Sequence, residues 1–309
     1  MAEKLLEIKD LVIEADIDDK WTPIVHGLSM SLERGEIIGF IGESGAGKST
    51  FGLTALGYTK PGCRIVSGSI KLDGDELVGA SDAELRNIRG NKVTYVAQSA
   101  AASFNPSKRL NDQVTEAAVR HNVMGIGDAT MRAEELYAKL DLPDPANIGR
   151  RYPHQVSGGQ LQRVMSAMAM TCGPDLLVLD EPTTALDVTT QIEVLATVRD
   201  LIRTNNTAAL YITHDLAVVA QIADRIMVLR YGELIEEGTT EQILHDPHEA
   251  YTKELISART EEINTKVFMG MPENPVLSIK NVTASYDGKV DVLKNISVDI
   301  GRGETVAVV

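Results

Sequence analysis

The sequence predicts an α/β fold with a parallel core sheet. Two short runs, Ile37 to Ile41 and Leu176 to Leu179, are almost wholly apolar. This is the pattern of strands buried on both faces of a parallel sheet. After the first run comes Gly42-Glu43-Ser44-Gly45-Ala46-Gly47-Lys48-Ser49-Thr50, and then an expected helix from Lys48 to about Leu56. Strand, glycine-rich loop and helix in that order are the setting of a phosphate-binding loop. Successive backbone N–H groups turn inward there to form an anion-binding concavity, and the helix that opens adds its positive end. Lys48 can reach the β- and γ-phosphates and the Ser49 hydroxyl can hold Mg²⁺. Every constrained position of the pattern is filled. A nucleoside triphosphate is therefore the expected ligand, with Gly42, Ser44, Gly45, Gly47, Lys48, Ser49 and Thr50 at its phosphates.

The remaining elements come in order along the chain. Leu5 to Ile13 alternates and reads as an edge strand. Asp16 to Thr22 is acidic and turn-like. Ile24 to Leu32 leads through Glu33-Arg34-Gly35-Glu36 to the strand that feeds the loop. Ser69 to Leu72 is a strand ending at the tight turn Asp73-Gly74, and Val93 to Ala97 is another ending at Gln98. From Ser99 to about Gly149 helical patterns dominate, over Val114 to His121 and over Asp128 to Leu140. Met131, Leu136 and Leu140 are spaced for one face of the latter. An inserted helical subdomain is expected, with Pro143 and Pro145 closing the pattern. Beyond Leu179 the order is a helix from Thr189 to Arg203, a strand from Ala208 to Thr213 and a helix from Leu216 to Ile222. A hairpin about Tyr231-Gly232 comes next, and Thr239 with Gln242 forms a capping box.

Composition narrows the function. The chain has 309 residues and a formal net charge of −14, which disfavours a nucleic-acid surface and a general attraction to anionic lipid. Cys63 and Cys172 are the two cysteines, with no motif spacing, and they read as reduced thiols. No apolar run reaches the length of a membrane span, so a membrane role requires a membrane-embedded partner.

Two further stretches carry chemistry. Asp180-Glu181-Pro182 ends the second apolar run. It places Asp180 to orient Mg²⁺ through water and Glu181 to polarise the attacking water, as phosphoryl transfer requires. Val156-Ser157-Gly158-Gly159-Gln160 precedes the apolar helix Leu161 to Met170. Its Ser and glycines at a helix start form another anion site. An ordinary helix start accounts for Ser157, but not for the paired glycines or Gln160. Here the chain resembles the ATP-binding-cassette (ABC) ATPases.

The resemblance implies a P-loop NTPase cassette. It has a parallel core sheet, an antiparallel β subdomain and a helical subdomain inserted at about 99–170. It also implies ATP and Mg²⁺ as cofactors. Two cassettes face each other, and Ser157, Gly158, Gly159 and Gln160 of one complete the nucleotide site of the other. Gln98 matches the glutamine that contacts Mg²⁺ or water and couples to the membrane partner. Thr184-Ala185-Leu186-Asp187 matches the loop that crosses the dimer interface, with Asp187 at the nucleotide. Thr213-His214-Asp215 matches the switch histidine at the γ-phosphate. Family members usually stack an aromatic on adenine from the end of the first strand. The aligned residue here is about Ala15, and Trp21 in the following loop is either its substitute or a loop aromatic.

Gln98 to Pro106 and Glu237 to Leu255 resemble segments of the oligopeptide and dipeptide importer branch, the second as a C-terminal extension at about 239–262. The match covers essentially residues 1 to 260. Many relatives carry a cysteine cluster beyond this point. Here no cysteine follows Cys172, so no iron–sulfur cluster is expected. The implied partners are a second cassette, two integral membrane permease subunits and, indirectly, an extracytoplasmic solute-binding protein. The implied location is the cytoplasmic face of the bacterial inner membrane. A translation-factor or DNA-repair cassette protein, a carbon–phosphorus lyase subunit and a non-catalytic module are the rivals. A short linker and the importer-like tail weigh against the first, and Glu181 with His214 against the last.

The sequence also repeats. Leu277 to Val282 echoes Leu6 to Leu11, Asn295 to Val298 echoes Gly27 to Met30, and Gly301 to Glu304 echoes Glu33 to Glu36. In the second copy Tyr286 fills the adenine-stacking place. The expected organisation is a first cassette over 1–268, a linker over 269–275, and the β start of a second, truncated cassette over 276–309.

Overall fold

A computed structural model describes residues 4–43, 45–183, 188–260, 274–285 and 291–306. The chain divides into two compact units, 1–260 and 261–309.

In the first unit, β1 (Lys4–Ile17) and β2 (Lys20–Glu33) form a long antiparallel hairpin. It turns at Asp18 and Asp19, both at positive φ. β3 (Ile37–Ile41) enters the phosphate loop and α1 (Lys48–Thr54) leaves it. β4 (Cys63–Leu72) and β5 (Asp75–Glu76) return to the first hairpin. α2 (Asp82–Ile88) opens on a capping box between Ser81 and Glu84. β6 (Val93–Val96) precedes the helical block: α3 (Ala100–Ser103), α4 (Leu110–Val114), α5 (Glu116–Arg120), α6 (Ile126–Lys139), α7 (Pro145–Ile148) and α8 (Gly158–Met170). The core then resumes with β7 (Leu176–Asp180), α9 (Val188–Thr204), β8 (Ala208–Ile212) and α10 (Leu216–Ile222). The hairpin β9 (Arg225–Arg230) and β10 (Glu233–Thr239), with α11 (Thr240–His245) and α12 (Ala250–Thr260), completes the unit.

Two sheets result, ordered β2-β1-β4-β5 and β10-β9-β3-β8-β7-β6. The first is antiparallel. In the second, β9, β3, β8, β7 and β6 run parallel, with β10 antiparallel at one edge. The core strands are buried on both faces, which is why their sequences are apolar throughout rather than alternating. Ile38, Phe40, Val178 and Leu210 pack with Phe51 and the first hairpin. Ile37, Ile41, Leu177, Leu179 and Tyr211 pack with the helical block and α9.

Several expectations change. β1 is not an edge strand: it pairs with β2 on one side and β4 on the other. The helix expected over Val114 to His121 is divided at Thr115, where α4 gives way to α5; the Thr115 hydroxyl adds a bond to the Asn111 carbonyl at 2.7 Å beside the backbone one, a contact that bends helices. In α6 the buried face is Ala129, Ala133, Leu136 and Tyr137, while Met131 is 58% exposed.

The second unit holds β11 (Leu277–Ser285) paired antiparallel with β12 (Asp291–Ile300). It repeats the β1–β2 hairpin in detail. Asp10 and Asn281 both adopt positive φ, 46° and 51°. Each donates its backbone N–H to a serine on the paired strand, Ser29 at 2.8 Å and Ser297 at 2.9 Å. Gly27 and Asn295 share a second positive-φ position. The Glu36 carboxylate accepts the Glu33 N–H at 2.8 Å, and the Glu304 carboxylate accepts the Gly301 N–H in the same turn. Of the expected linker, 269–273 lies outside the described residues, as do Tyr286 and Val309.

The face of α6 yields a stability test. Leu136→Ala removes a fully buried side chain and is expected to cost about 2–5 kcal/mol. Met131→Ala removes an exposed one and should stay within about 0.5 kcal/mol. Urea melts of the two variants check this.

Candidate functional site

The phosphate loop is shaped by two close approaches. Gly42 has φ 149°, and a Cβ there would lie 2.0 Å from the Leu229 carbonyl oxygen. Gly47 has φ 84°, and a Cβ would meet the Ile24 carbonyl at 3.0 Å. Larger residues would lift the loop from β9 and β2. Lys48 begins α1 and is buried; its ammonium donates to the carbonyls of Gly42 at 2.7 Å and Glu43 at 2.8 Å. Burial pulls the Lys48 pKa below its ordinary value, and the Glu181, Asp180 and Glu43 carboxylates partly oppose this. Ser44 lies outside the described residues.

The parallel strands bring the other groups to the same edge. Asp180 ends β7 and is only 6% exposed. Its Oδ1 accepts the Ser49 hydroxyl at 2.8 Å, and its Oδ2 accepts the Tyr95 hydroxyl at 2.8 Å. Glu181 comes next at φ 47°, a left-handed conformation that costs a non-glycine residue roughly 1–2 kcal/mol. Its N–H donates to the Ile212 carbonyl at 2.8 Å, so β8 holds the turn. One carboxylate oxygen accepts from Gln98 Nε2 at 2.8 Å, and the other lies 2.8 Å from His214 Nδ1. The adjacent carboxylates are thus sent to different partners, Asp180 toward the loop serine and Glu181 toward the residues after β6 and β8.

These groups surround an open cleft of about 640 Å³, lined among others by Gly45, Gly47, Lys48, Ser49, Thr50, Gln98, Asp180, Glu181 and His214. Lys60 and Ile24 also line it; neither stands out in the sequence, because both arrive from loops and strands packed over the phosphate loop. Tyr95 does not stand out either. Its position on β6, in register with Val178 two residues before Asp180, becomes visible only once strand pairing is known.

The structure does not bring Ser157, Gly158, Gly159 and Gln160 to this cleft. They open α8, where Ser157 Oγ accepts the Gln160 N–H at 3.2 Å and Gln160 Oε1 accepts the Ser157 N–H at 3.1 Å. This reciprocal cap accounts for Gln160 as well as Ser157, which corrects the expectation that an ordinary helix start leaves Gln160 unexplained. Gly158 keeps no such explanation, since a Cβ there would meet nothing within 4 Å. Asp187 and the loop from Thr184 lie outside the described residues. Trp21 is 39% exposed, and its ring carries the Arg64 guanidinium at 4.0 Å. Arg64 is in turn held by Glu14 at 2.7 Å. The cleft wall supplied by that hairpin is Ile24.

The site has relatives of known class. A family model described as ABC transporter matches residues 25–184, from the second strand through both carboxylates. The chain belongs to the ABC transporter family. The oligopeptide transport ATP-binding protein OppD of Lactococcus lactis subsp. lactis is 36% identical over 82% of the chain and 75% of that protein. The dipeptide transport ATP-binding protein DppD of Bacillus subtilis is 37% identical over 83% of the chain and 77% of that protein. Among solved structures, the dimeric bacterial ABC transporter cassette MJ0796 superposes with a TM-score of 0.69 at 25% identity, over 76% of this chain and 99% of that one. The ABC cassette fold and the reading as an ATP-hydrolysing transporter subunit both stand.

Lys48 gives a pH test. A lysine holds an anionic phosphate only in its charged form. Nucleotide affinity should be full below its lowered pKa and fall as pH rises through it, earlier than for an ordinary lysine near ~10.4. Fluorescent-nucleotide titrations between neutral and alkaline pH check this. Lys48→Ala should weaken binding about 10- to 100-fold and flatten the profile.

Proposed function

We propose that the chain is the ATP-hydrolysing subunit of an importer for peptides or related small solutes, working at the cytoplasmic face of the bacterial inner membrane. The observation that carries this reading is the convergence of Lys48, Ser49, Gln98, Asp180, Glu181 and His214 on one cleft, in a chain related to oligopeptide and dipeptide transport ATP-binding proteins. Among the described residues no helix is long and apolar enough to cross a membrane. In this reading two permease partners, as implied by the importer relatives, supply the transport path. A solute-binding protein delivers the solute to them.

In this reading the loop from Gly42 to Thr50, with Lys48, binds the ATP phosphates. Asp180 and Ser49, a buried carboxylate and a hydroxyl 2.8 Å apart, with Gln98, are the hard oxygen donors that fit Mg²⁺. That ion typically takes one or two carboxylates together with substrate phosphates. When bound, Mg²⁺ neutralises charge on the β- and γ-phosphates. Glu181 is the base for the attacking water, and its contacts to Gln98 and His214 let both sense the γ-phosphate. Ser157, Gly158, Gly159, Gln160 and Asp187 face the nucleotide of a second cassette. The open space over Gly158 supports this, since its own chain does not demand a glycine there.

A permease subunit contacts the helical block near Phe104 to Asn111, together with Gln98; Asn105 and Lys108 of that stretch line a groove of about 740 Å³ between α2, β6 and the helical block. The second unit, with its repeated bulge and turn, is the start of a second cassette fused to the first; 1–268, 269–275 and 276–309 remain the proposed divisions.

Two substitutions test this in the assembled cassette pair. Glu181→Gln should keep ATP binding, stabilise the paired state on gel filtration and lower turnover about 10²- to 10⁴-fold; normal turnover removes Glu181 as base. Gly158→Asp should leave α8 intact, because an acidic residue in a first turn is favourable by about 0.3–1 kcal/mol. It should nevertheless abolish ATPase activity by placing a carboxylate against the partner's phosphates. Undiminished activity would remove the shared site.

A further inference from the structure

We propose that Tyr95 is a positioning residue for Asp180, holding that carboxylate in the orientation in which it meets Ser49 and Mg²⁺. The proposal rests on the metal-binding role proposed for Asp180 and Ser49, and it adds a residue that the phosphate-loop and strand-end motifs do not contain.

The strand geometry makes the contact rigid. β6 and β7 are parallel neighbours with Tyr95 opposite Val178 and Val96 opposite Leu179. Side chains alternate across a strand, so Val93 and Tyr95 share the face that carries Leu176, Val178 and Asp180. On that face Tyr95 packs against the core containing Phe51 of α1. The ring is partly buried against that core, and the hydroxyl reaches past the end of β6 to the last residue of β7. There it donates to Asp180 Oδ2 at 2.8 Å, while Ser49 donates to Oδ1 at the same distance.

Without Tyr95 the carboxylate has one anchor, on Ser49 in the first turn of α1, which a metal would also engage. With it, Oδ2 is held from the sheet and Oδ1 is left facing the phosphate loop. A phenol hydroxyl is a donor at neutral pH, as the contact to Asp180 requires. Groups that orient a metal-binding carboxylate in this way are worth about 10- to 100-fold in metal affinity.

The test needs no turnover. Binding of a fluorescent, non-hydrolysable ATP analogue to the full chain is titrated with Mg²⁺, starting from EDTA. Tyr95→Phe deletes one oxygen and keeps the ring. It should leave the EDTA affinity unchanged, lower the thermal midpoint by no more than the loss of one hydrogen bond, and raise the Mg²⁺ midpoint about tenfold. Tyr95→Leu, which also loses the ring, should raise the Mg²⁺ midpoint likewise and lower the thermal midpoint as well. Asp180→Asn reports on the metal reading itself. If Asp180→Asn raises the Mg²⁺ midpoint and Tyr95→Phe titrates as wild type, Tyr95 serves packing alone and the proposal falls while the metal reading stands. If Asp180→Asn also titrates as wild type, the metal reading fails and takes the proposal with it.

Discussion

The parallel register of β6, β7, β8 and β3 is the constraint on which the site depends. Phe40 and Asp180 are both in register with Ile212, and Val96 is in register with Leu179. The strands therefore end level with one another. The residues just past their ends, Gly42, His214, Glu181 and Gln98, meet at one edge although the sequence spreads them over more than half the unit. Open α/β sheets bind ligands at the carboxyl ends of their strands for this reason. The register is protected by burial on both faces. A one-residue slip would move a strand end by about 3.3 Å and send every side chain to the opposite core. That slip would separate Asp180 from both Ser49 and Tyr95.

Adjacent carboxylates at the end of β7 create an electrostatic problem that the backbone resolves. Asp180 still obeys strand alternation and points, with Val178 and Leu176, toward the side where α1 packs. Glu181 leaves the strand at positive φ. That left-handed turn costs energy, and residues held in this way cluster at functional sites. The bond from its N–H to the Ile212 carbonyl keeps the turn in place. As a result the two acids do not share partners. One is tied to the phosphate loop and to β6; the other bridges the residues just past β6 and β8.

Much of this is legible in the sequence, because short parallel strands and glycine-rich loops leave local marks. The runs at Ile37 and Leu176, the loop at Gly42 and the turn at Tyr231-Gly232 each carry their own geometry. The features that are not legible depend on pairing between distant segments. Nothing near β1 announces that β4 will take its second edge. Leu136 and Leu140 are buried as their spacing predicts, but Met131 is not; the rest of the stripe is Ala129, Ala133 and Tyr137, small residues and a polar-tipped aromatic that a search for large apolar side chains passes over. Tyr95 reads as one more apolar strand position until β7 is laid beside it. Gln160 misleads for the opposite reason: its place in the motif suggests something rarer than the local capping role it fills.

The two hairpins share a bulge, a left-handed position and a terminal turn, yet their apolar faces fare differently. Leu6, Leu11 and Leu28 are at most 2% exposed, whereas the matching Leu277, Val282 and Ile296 are 48%, 38% and 44% exposed. In the first unit β4, α1 and the core sheet cover that face. A two-stranded hairpin is marginal without such a layer. The second hairpin carries the same apolar pattern as the first. The exposed glycine at the start of α8 shows the same mismatch at the scale of a single residue. Gly158 leaves room that its own chain does not fill, and the cleft it does not reach already holds Lys48, Asp180 and Glu181. Both features support the proposal that the ABC cassette of residues 4–260 supplies one half of a nucleotide site and a second cassette the other.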